Sequence, residues 1–314
     1  MIPGELIVNA LLFIISIVFL YKGSDILVEG TSKTALRLGV SSLIISLTIV
    51  AYGTSAPEFA ASSLASYQSH SSLSLGNIIG SCLANLLLVL GISSFIRPIS
   101  VNLGIIRREL PILTLATVLL LLFSLTRNLD KSAGVIFLIA FVLYIVFFIQ
   151  AARKERIEVR SIKMNDGKLS KYIFFIIAGL VLVIVGAHFL VNSAVYFAEL
   201  FGIPEFLIAI SMVAVGTSLP ELAVSATASI KGEADISLGN LLGSNVFNIL
   251  LILGVCSLIN PIFIDLKSLL SEIFLLAITL VLFPIFYTGR KISRPEGAFL
   301  ILLYVIYIVV IFTK

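Results

Sequence analysis

Charge is what this chain has least of. Only 12% of its 314 residues are Asp, Glu, Lys or Arg, about half the roughly 25% typical of soluble domains. A secreted or soluble globule of this composition would have nothing to cover its outside. A disordered chain needs low hydrophobicity and more charge, and a net charge of +4 does not suit a nucleic-acid binder. Cysteine is nearly absent too. Cys82 and Cys256 both lie in apolar stretches, so neither a disulfide framework nor a zinc-type cluster can be built. The two histidines, His70 and His188, form no metal-ligating pair. No aspartate cluster and no nucleophile with a neighbouring base is visible, so no enzyme and no cofactor is expected. What the chain does have is hydrophobicity, 59% of its residues at a mean hydropathy of +1.16. At about 20 residues per span, that is room for roughly ten membrane-crossing helices. The reading is an all-α polytopic membrane protein.

Apolar runs fall at 5–21, 41–66, 73–96, 109–126 and 133–152, then at 172–195, 204–229, 236–260, 269–288 and 295–313. The first has no basic opening and no small-residue cleavage site after it, so it reads as a retained helix that extends toward Gly39. In hydrocarbon, backbone groups must be satisfied within the segment, which selects helices over open sheet. Residues 153–171 form the one substantial hydrophilic stretch. If that linker is cytoplasmic, alternate loops place seventeen basic residues inside, from Lys22, Lys33 and Arg37 through Arg107 and Arg108 to Arg294. Only Arg127, Lys131, Lys267 and Lys314 fall outside. This asymmetry predicts a cell-membrane protein with both termini extracellular and the central loop cytoplasmic.

A shift of 163 residues lays Gly23–Pro98 on Gly186–Pro261 without a gap, and 31 of the 76 positions are identical. Each half then holds five helices, an odd number, so the second half enters the membrane upside down. The expected organisation is two inverted five-helix repeats, 1–152 and 172–314, joined by a basic linker at 153–171.

Two polar strings recur in both halves. Gly53-Thr54-Ser55-Ala56-Pro57-Glu58 has its twin in Gly216-Thr217-Ser218-Leu219-Pro220-Glu221. Gly76-Asn77, Gly80-Ser81 and Asn85 have theirs in Gly239-Asn240, Gly243-Ser244 and Asn248. Glu58 is the one charged residue between Arg37 and Arg97, and Glu221 stands alone between Glu205 and Lys231. A carboxylate at the bilayer centre costs at least about 2.5–3.5 kcal/mol, and two at one depth repel unless a cation lies between them. Pro57 and Pro220 remove a helical donor, so carbonyls of 51–54 and 214–217 are expected to turn inward as ligands. Hydroxyls of Thr54, Ser55, Thr217 and Ser218 add neutral oxygens. Ser81 and Asn85 stand four apart on one helical face, like Ser244 and Asn248. Oxygen ligands without sulfur or imidazole suit calcium, or sodium where neutral oxygens predominate. The glycines of the second string read as close helix packing. Glu109 and Glu272 are expected to open their helices, where an acid suits the dipole.

At these residues the chain resembles the sodium/calcium exchanger family of the cation/calcium antiporters, in a short prokaryotic-type form without a regulatory loop. The resemblance implies ten helices, a four-helix ion-binding core and two long helices that slide across it. It implies calcium ligands in the carboxylates of Glu58 and Glu221 and the carbonyls of Thr54 and Thr217. Flanking sodium sites would use the carbonyls of Ala51 and Ala214, the hydroxyls of Ser55, Ser218, Ser81 and Ser244, the threonine hydroxyls and both glutamates. Asn85 and Asn248 would complete the cavity. The function expected is secondary active exchange of sodium for calcium, electrogenic at three sodium ions per calcium. Proton/calcium antiport is the alternative, although proton-coupled relatives resemble Gly-Asn-x-x-Glu where this chain has Gly80 and Gly243. A passive cation channel is a weaker one. The partners expected are the two ions and the lipid bilayer, with no nucleic acid and no protein partner evident.

Overall fold

The computed structural model describes residues 3–158, 168–201 and 216–313. The start of the expected span 204–229 and most of the linker lie outside the described residues. Within them the chain is helical, with two pairs of two-residue strands at its ends. Helix α1, Pro3–Leu38, runs 36 residues, about 54 Å at 1.5 Å per residue. It ends where Gly39 takes φ +67°, with Gly39 N–H bonding Leu36 and Val40 N–H bonding Ala35, the paired closure typical of a glycine terminator. Lys22, Lys33 and Arg37 therefore belong to a helix and not to a loop. Polar residues did not end it, because its own backbone bonds continue through them.

The next span is broken. Helices α2 (Ser42–Ile45) and α3 (Ala51–Thr54) flank a widened π turn at Ser46–Val50, and α4 (Ala56–Tyr67) follows after Ser55 at a bend of 48°. Then come α5 (Ser71–Leu83), a π turn at Ala84–Val89, α6 (Leu90–Ile96), α7 (Leu110–Ser124), α8 (Lys131–Glu158) and α9 (Leu169–Leu200). The chain continues with α10 (Leu219–Lys231), α11 (Ala234–Phe247), a π turn at Asn248–Ile252, α12 (Leu253–Ile259), α13 (Leu266–Tyr287) and α14 (Arg294–Thr313). Among the described residues six helices are long and apolar enough to cross a membrane, and a seventh if the bent pair counts as one.

Burial sorts these into layers. Seventy-eight per cent of the apolar window is buried in Ser72–Ile96 and in Ala234–Ile259, against 28% in Lys131–Ala151 and 11% in Glu5–Leu38. The first two are the centre; the others face lipid. Across the centre, Asn245 donates to the Cys82 carbonyl at 3.2 Å. Strand β1 (Ile99–Ser100) pairs with β4 (Lys291–Ile292), and β2 (Asn128–Leu129) with β3 (Ile262–Phe263). The registers Ile99↔Ile292 and Leu129↔Ile262 exchange under the 163-residue shift. On the β1–β4 face, Arg97 donates to the Ile230 carbonyl and Arg294 to that of Ile96 at 3.4 Å.

Helices α1 and α9 pack through glycines. A Cβ on Gly179 would lie 2.8 Å from the Gly23 carbonyl and the Leu27 amide, and one on Gly186 would meet Leu20 N at 3.0 Å. No side chain fits between these backbones. Glu109 directly precedes α7 but meets no free helix end, since helical turns run back through Ile105, and Glu272 does not open a helix. Glu109 closes a π turn at Ile105–Glu109 and pairs with Arg108 at 2.5 Å. Glu272 is fully buried inside α13, whose N-terminus is capped instead by Asp265, which accepts from Ser268 N–H at 2.7 Å.

Candidate functional site

Proline makes the break that carries the site. With no N–H on Pro57, the carbonyl of Gly53 loses its helical donor, and Ser55 leaves helical geometry at φ −84°, ψ 9°. Ser218, before Pro220, does the same at φ −87°, ψ 5°. Each break is pressed against α9: a Cβ on Gly53 would fall 2.5 Å from Leu180, and one on Gly216 2.9 Å from Val191. Glycine at both positions is what allows the fit.

Glu58 and Glu221 sit just beyond the breaks, in the first turns of α4 and α10, and both are 0% exposed. Ser55 donates to Glu221 Oε1 at 2.9 Å, so the first break reaches the second carboxylate. Ser244 donates to the same oxygen at 3.3 Å. Ser81 lies 3.5 Å from Glu58 Oε1 and 3.3 Å from the Thr217 hydroxyl. The Oε2 of each glutamate has no hydrogen-bond partner among the described residues. Thr54 Oγ1 donates to Asn240 Oδ1 at 3.0 Å and lies 3.5 Å from Ser244 Oγ. The Ala51 carbonyl receives Ser55 N–H at 3.1 Å and lies 3.3 Å from the Ser244 hydroxyl oxygen.

Thus Glu58, Glu221, Thr54, Thr217, Ser55, Ser81, Ser244 and Ala51 converge in one hydroxyl-rich centre. Ser218 is buried, but its hydroxyl has no partner among the described residues. Asn85 bonds Asn245, at 3.1 Å, whereas Asn248 has only the weakly bonding thiol of Cys82 beside it. Ala214 lies outside the described residues. Two participants were not singled out as site residues from sequence. Asn240 was visible in the second string; it links Thr54 to Ser225 Oγ, to which it donates at 3.1 Å. Asn245 breaks the repeat, standing where the first half has Cys82, and that mismatch was the signal.

One end of the site is closed by backbone packing. Gly239 and Gly243 let α2, α3 and their π turn close on α11: a Cβ on Gly243 would lie 2.5 Å from the Leu47 carbonyl. The equivalent neighbours of Gly76 and Gly80 fall at 206–214, outside the described residues. On that side a cavity of about 850 Å³ runs past Ala61, Asn77, His188 and Phe189 to Thr217 and Pro220. On the other side α1 is fastened to α10 by Ser24–Thr227 at 2.8 Å and by Lys231–Asp25 at 2.5 Å. Ser32 donates to Glu233 at 2.9 Å.

Two carboxylates sealed inside an apolar bundle, ringed by hydroxyls, a carbonyl and amides, define a membrane protein that handles hard cations. The particular lineage follows from comparison. The sequence pattern described as sodium/calcium exchanger protein matches residues 8–150 and 171–313, and the chain belongs to that family of multi-pass membrane antiporters. It is 34% identical to the sodium/calcium exchanger MaX1 of Methanosarcina acetivorans, over 97% of this chain and 99% of that one. It is 35% identical to the putative antiporter CaxA of Alkalimonas amylolytica, over 98% and 100%. The solved sodium/calcium exchanger from Methanococcus jannaschii superposes with a TM-score of 0.85 at 32% identity, covering 97% of this chain and 98% of that one. These relatives are named as transporters, not enzymes.

Proposed function

We propose that this protein exchanges sodium for calcium across a cell membrane, electrogenically and by alternating access, with three sodium ions per calcium. The observation that carries the reading is the pair Glu58 and Glu221. Each is fully buried, and each keeps one oxygen bonded by serine and one without a partner among the described residues. One calcium neutralises two carboxylates; three sodium ions overcompensate them, so charge moves in each cycle. Calcium is held by both carboxylates and the carbonyls of Thr54 and Thr217. Sodium uses these glutamates with Ala51, Ala214, Ser55, Ser218, Ser81, Ser244 and the threonine hydroxyls, and Asn85 and Asn248 complete the cavity. No resident cofactor is required.

Ten helices in two inverted repeats, 1–152 and 172–314 about the linker 153–171, are the architecture of this reading. The exchangeable strand registers and the two proline breaks support it. The glycine-packed α1–α9 pair supports a rigid unit that slides against the core, and the fastenings of α1 to α10 support a state closed on that side. The clustering of Arg97, Lys231, Lys291 and Arg294 on one face supports a cytoplasmic linker and extracellular termini.

Labelled calcium flux into sealed vesicles tests it, with a sodium, proton or no gradient imposed. Uptake should follow the sodium gradient and respond to an imposed membrane potential. Uptake driven equally by protons alone would move the protein to proton/calcium antiport, and indifference to potential would sink the stoichiometry.

A further inference from the structure

Asn85 and Asn248 hold equivalent positions and are both fully buried, yet their surroundings differ. A backbone carbonyl only accepts. The Asn245 carboxamide must therefore turn Nδ2 toward the carbonyl of Cys82, at 3.2 Å, and its Oδ1 the opposite way. That Oδ1 accepts from Asn85 Nδ2 at 3.1 Å. One fixed acceptor thus sets two amides in series, and Asn85 Oδ1 becomes the remaining branch, buried and without a protein donor among the described residues. One turn earlier on the same helical face stands Ser81, which donates to Glu58. Asn248 has no such relay. The 163-residue shift takes Asn245 to Cys82, whose thiol reaches Asn248 but is only a weak donor and a weak acceptor, and neither polar atom of Asn248 has a stronger partner among the described residues.

We propose that Asn245 is a positioning residue for ion binding: it fixes the Asn85 carboxamide with its oxygen presented to the cation site, while Asn248 is held only by the weakly bonding thiol of Cys82. This rests on the reading of Glu58 and Glu221 as ion ligands. A preset neutral oxygen matters most to sodium, which draws more of its coordination from neutral donors than calcium does between two carboxylates. The two halves therefore offer unequal sodium subsites, one rigid and one adaptable.

Sodium-driven calcium flux in vesicles, measured for Asn245→Cys, Cys82→Asn and the exchanged pair, tests this. Asn245→Cys installs the residue that the first half already carries at the matching place. Half-saturating sodium should rise about fivefold, the worth of one hydrogen bond of about 1 kcal/mol, with maximal rate and half-saturating calcium within about twofold. Adding Cys82→Asn should restore sodium affinity by giving Asn248 the anchor that Asn85 has lost. An unchanged sodium requirement, or parallel losses in sodium, calcium and rate, overturns the positioning role. Should Asn245→Cys not fold, Cys82→Asn alone decides: it should lower half-saturating sodium, and no change overturns the proposal. Glu58→Gln is run beside them. Calcium flux surviving there removes the ion-site reading itself, whereas its loss with an unresponsive Asn245→Cys removes only the role of Asn245.

Discussion

At the scale of single residues, the carboxylate pair makes the strongest demand. Glu58→Gln and Glu221→Gln each leave one charge where a divalent ion needs two. Removing one partner from a buried charged site typically costs about 3–5 kcal/mol, so calcium flux should fall by roughly a hundredfold or more while the protein stays folded. Retained flux in either variant would refute paired ligation. Both glutamates were legible because a charge inside hydrocarbon is expensive and this one occurs twice. Asn245 was not, since sequence symmetry reveals only what repeats and this residue acts by differing from Cys82. The unequal serines, Ser55 bonded at 2.9 Å and Ser218 without a partner among the described residues, were equally hidden, because identical residues on matching breaks need not meet matching neighbours. The question of potassium belongs to this scale too. Potassium-dependent relatives resemble this family but place an aspartate at the position of Asn248. With neutral Asn85 and Asn248, exchange should run equally well when choline replaces potassium, and Asn248→Asp should change ion preference more than folding. A strict potassium requirement in flux assays would contradict this.

Among elements, the glycine seam between α1 and α9 is the most sensitive. Gly179→Val would drive side-chain atoms onto the Gly23 carbonyl and the Leu27 backbone, both 2.8 Å or less from the first added carbon. Backbone cannot step aside cheaply, and overpacking of this kind costs about 1–3 kcal/mol. Thermal unfolding in detergent should register a lower midpoint, and flux should slow. An unaltered midpoint would show that the seam yields. Among the described residues hydropathy marked six helices long and apolar enough to cross a membrane, but it does not mark where helices end. It reports which residues favour hydrocarbon, whereas helices stop where backbone bonds stop. That is why α1 runs beyond its apolar stretch through Lys22 to Leu38, as the expected extension toward Gly39 has it, and why Asp265, not Glu272, caps α13. The π turns at Ala84–Val89 and Asn248–Ile252 had no sequence signal at all: each is a backbone widening in an apolar run, and each contains the buried asparagine of its half, Asn85 or Asn248.

For the molecule as a whole, the contacts that close one side have to open once per cycle if access alternates. Ser24 and Thr227, whose hydroxyl oxygens lie 2.8 Å apart, join α1 to α10. A disulfide between Ser24→Cys and Thr227→Cys should stop calcium exchange and release it on reduction. Continued exchange in the oxidised protein would mean that α1 and α10 never part.

The two strand pairings have a different consequence. Ile99 is paired with Ile292 and Leu129 with Ile262, α1 lies along α9, and Asn245 is bonded to Cys82. Every one of these attachments joins the first half of the chain to the second, so the halves are held by one another more than by the peptide that connects them. Covalent continuity through residues 153–168 is then dispensable for assembly. Two separately encoded polypeptides, ending at Ala152 and beginning at Leu169, should find each other in the membrane, co-purify and restore sodium-driven calcium flux, while either piece alone should do neither.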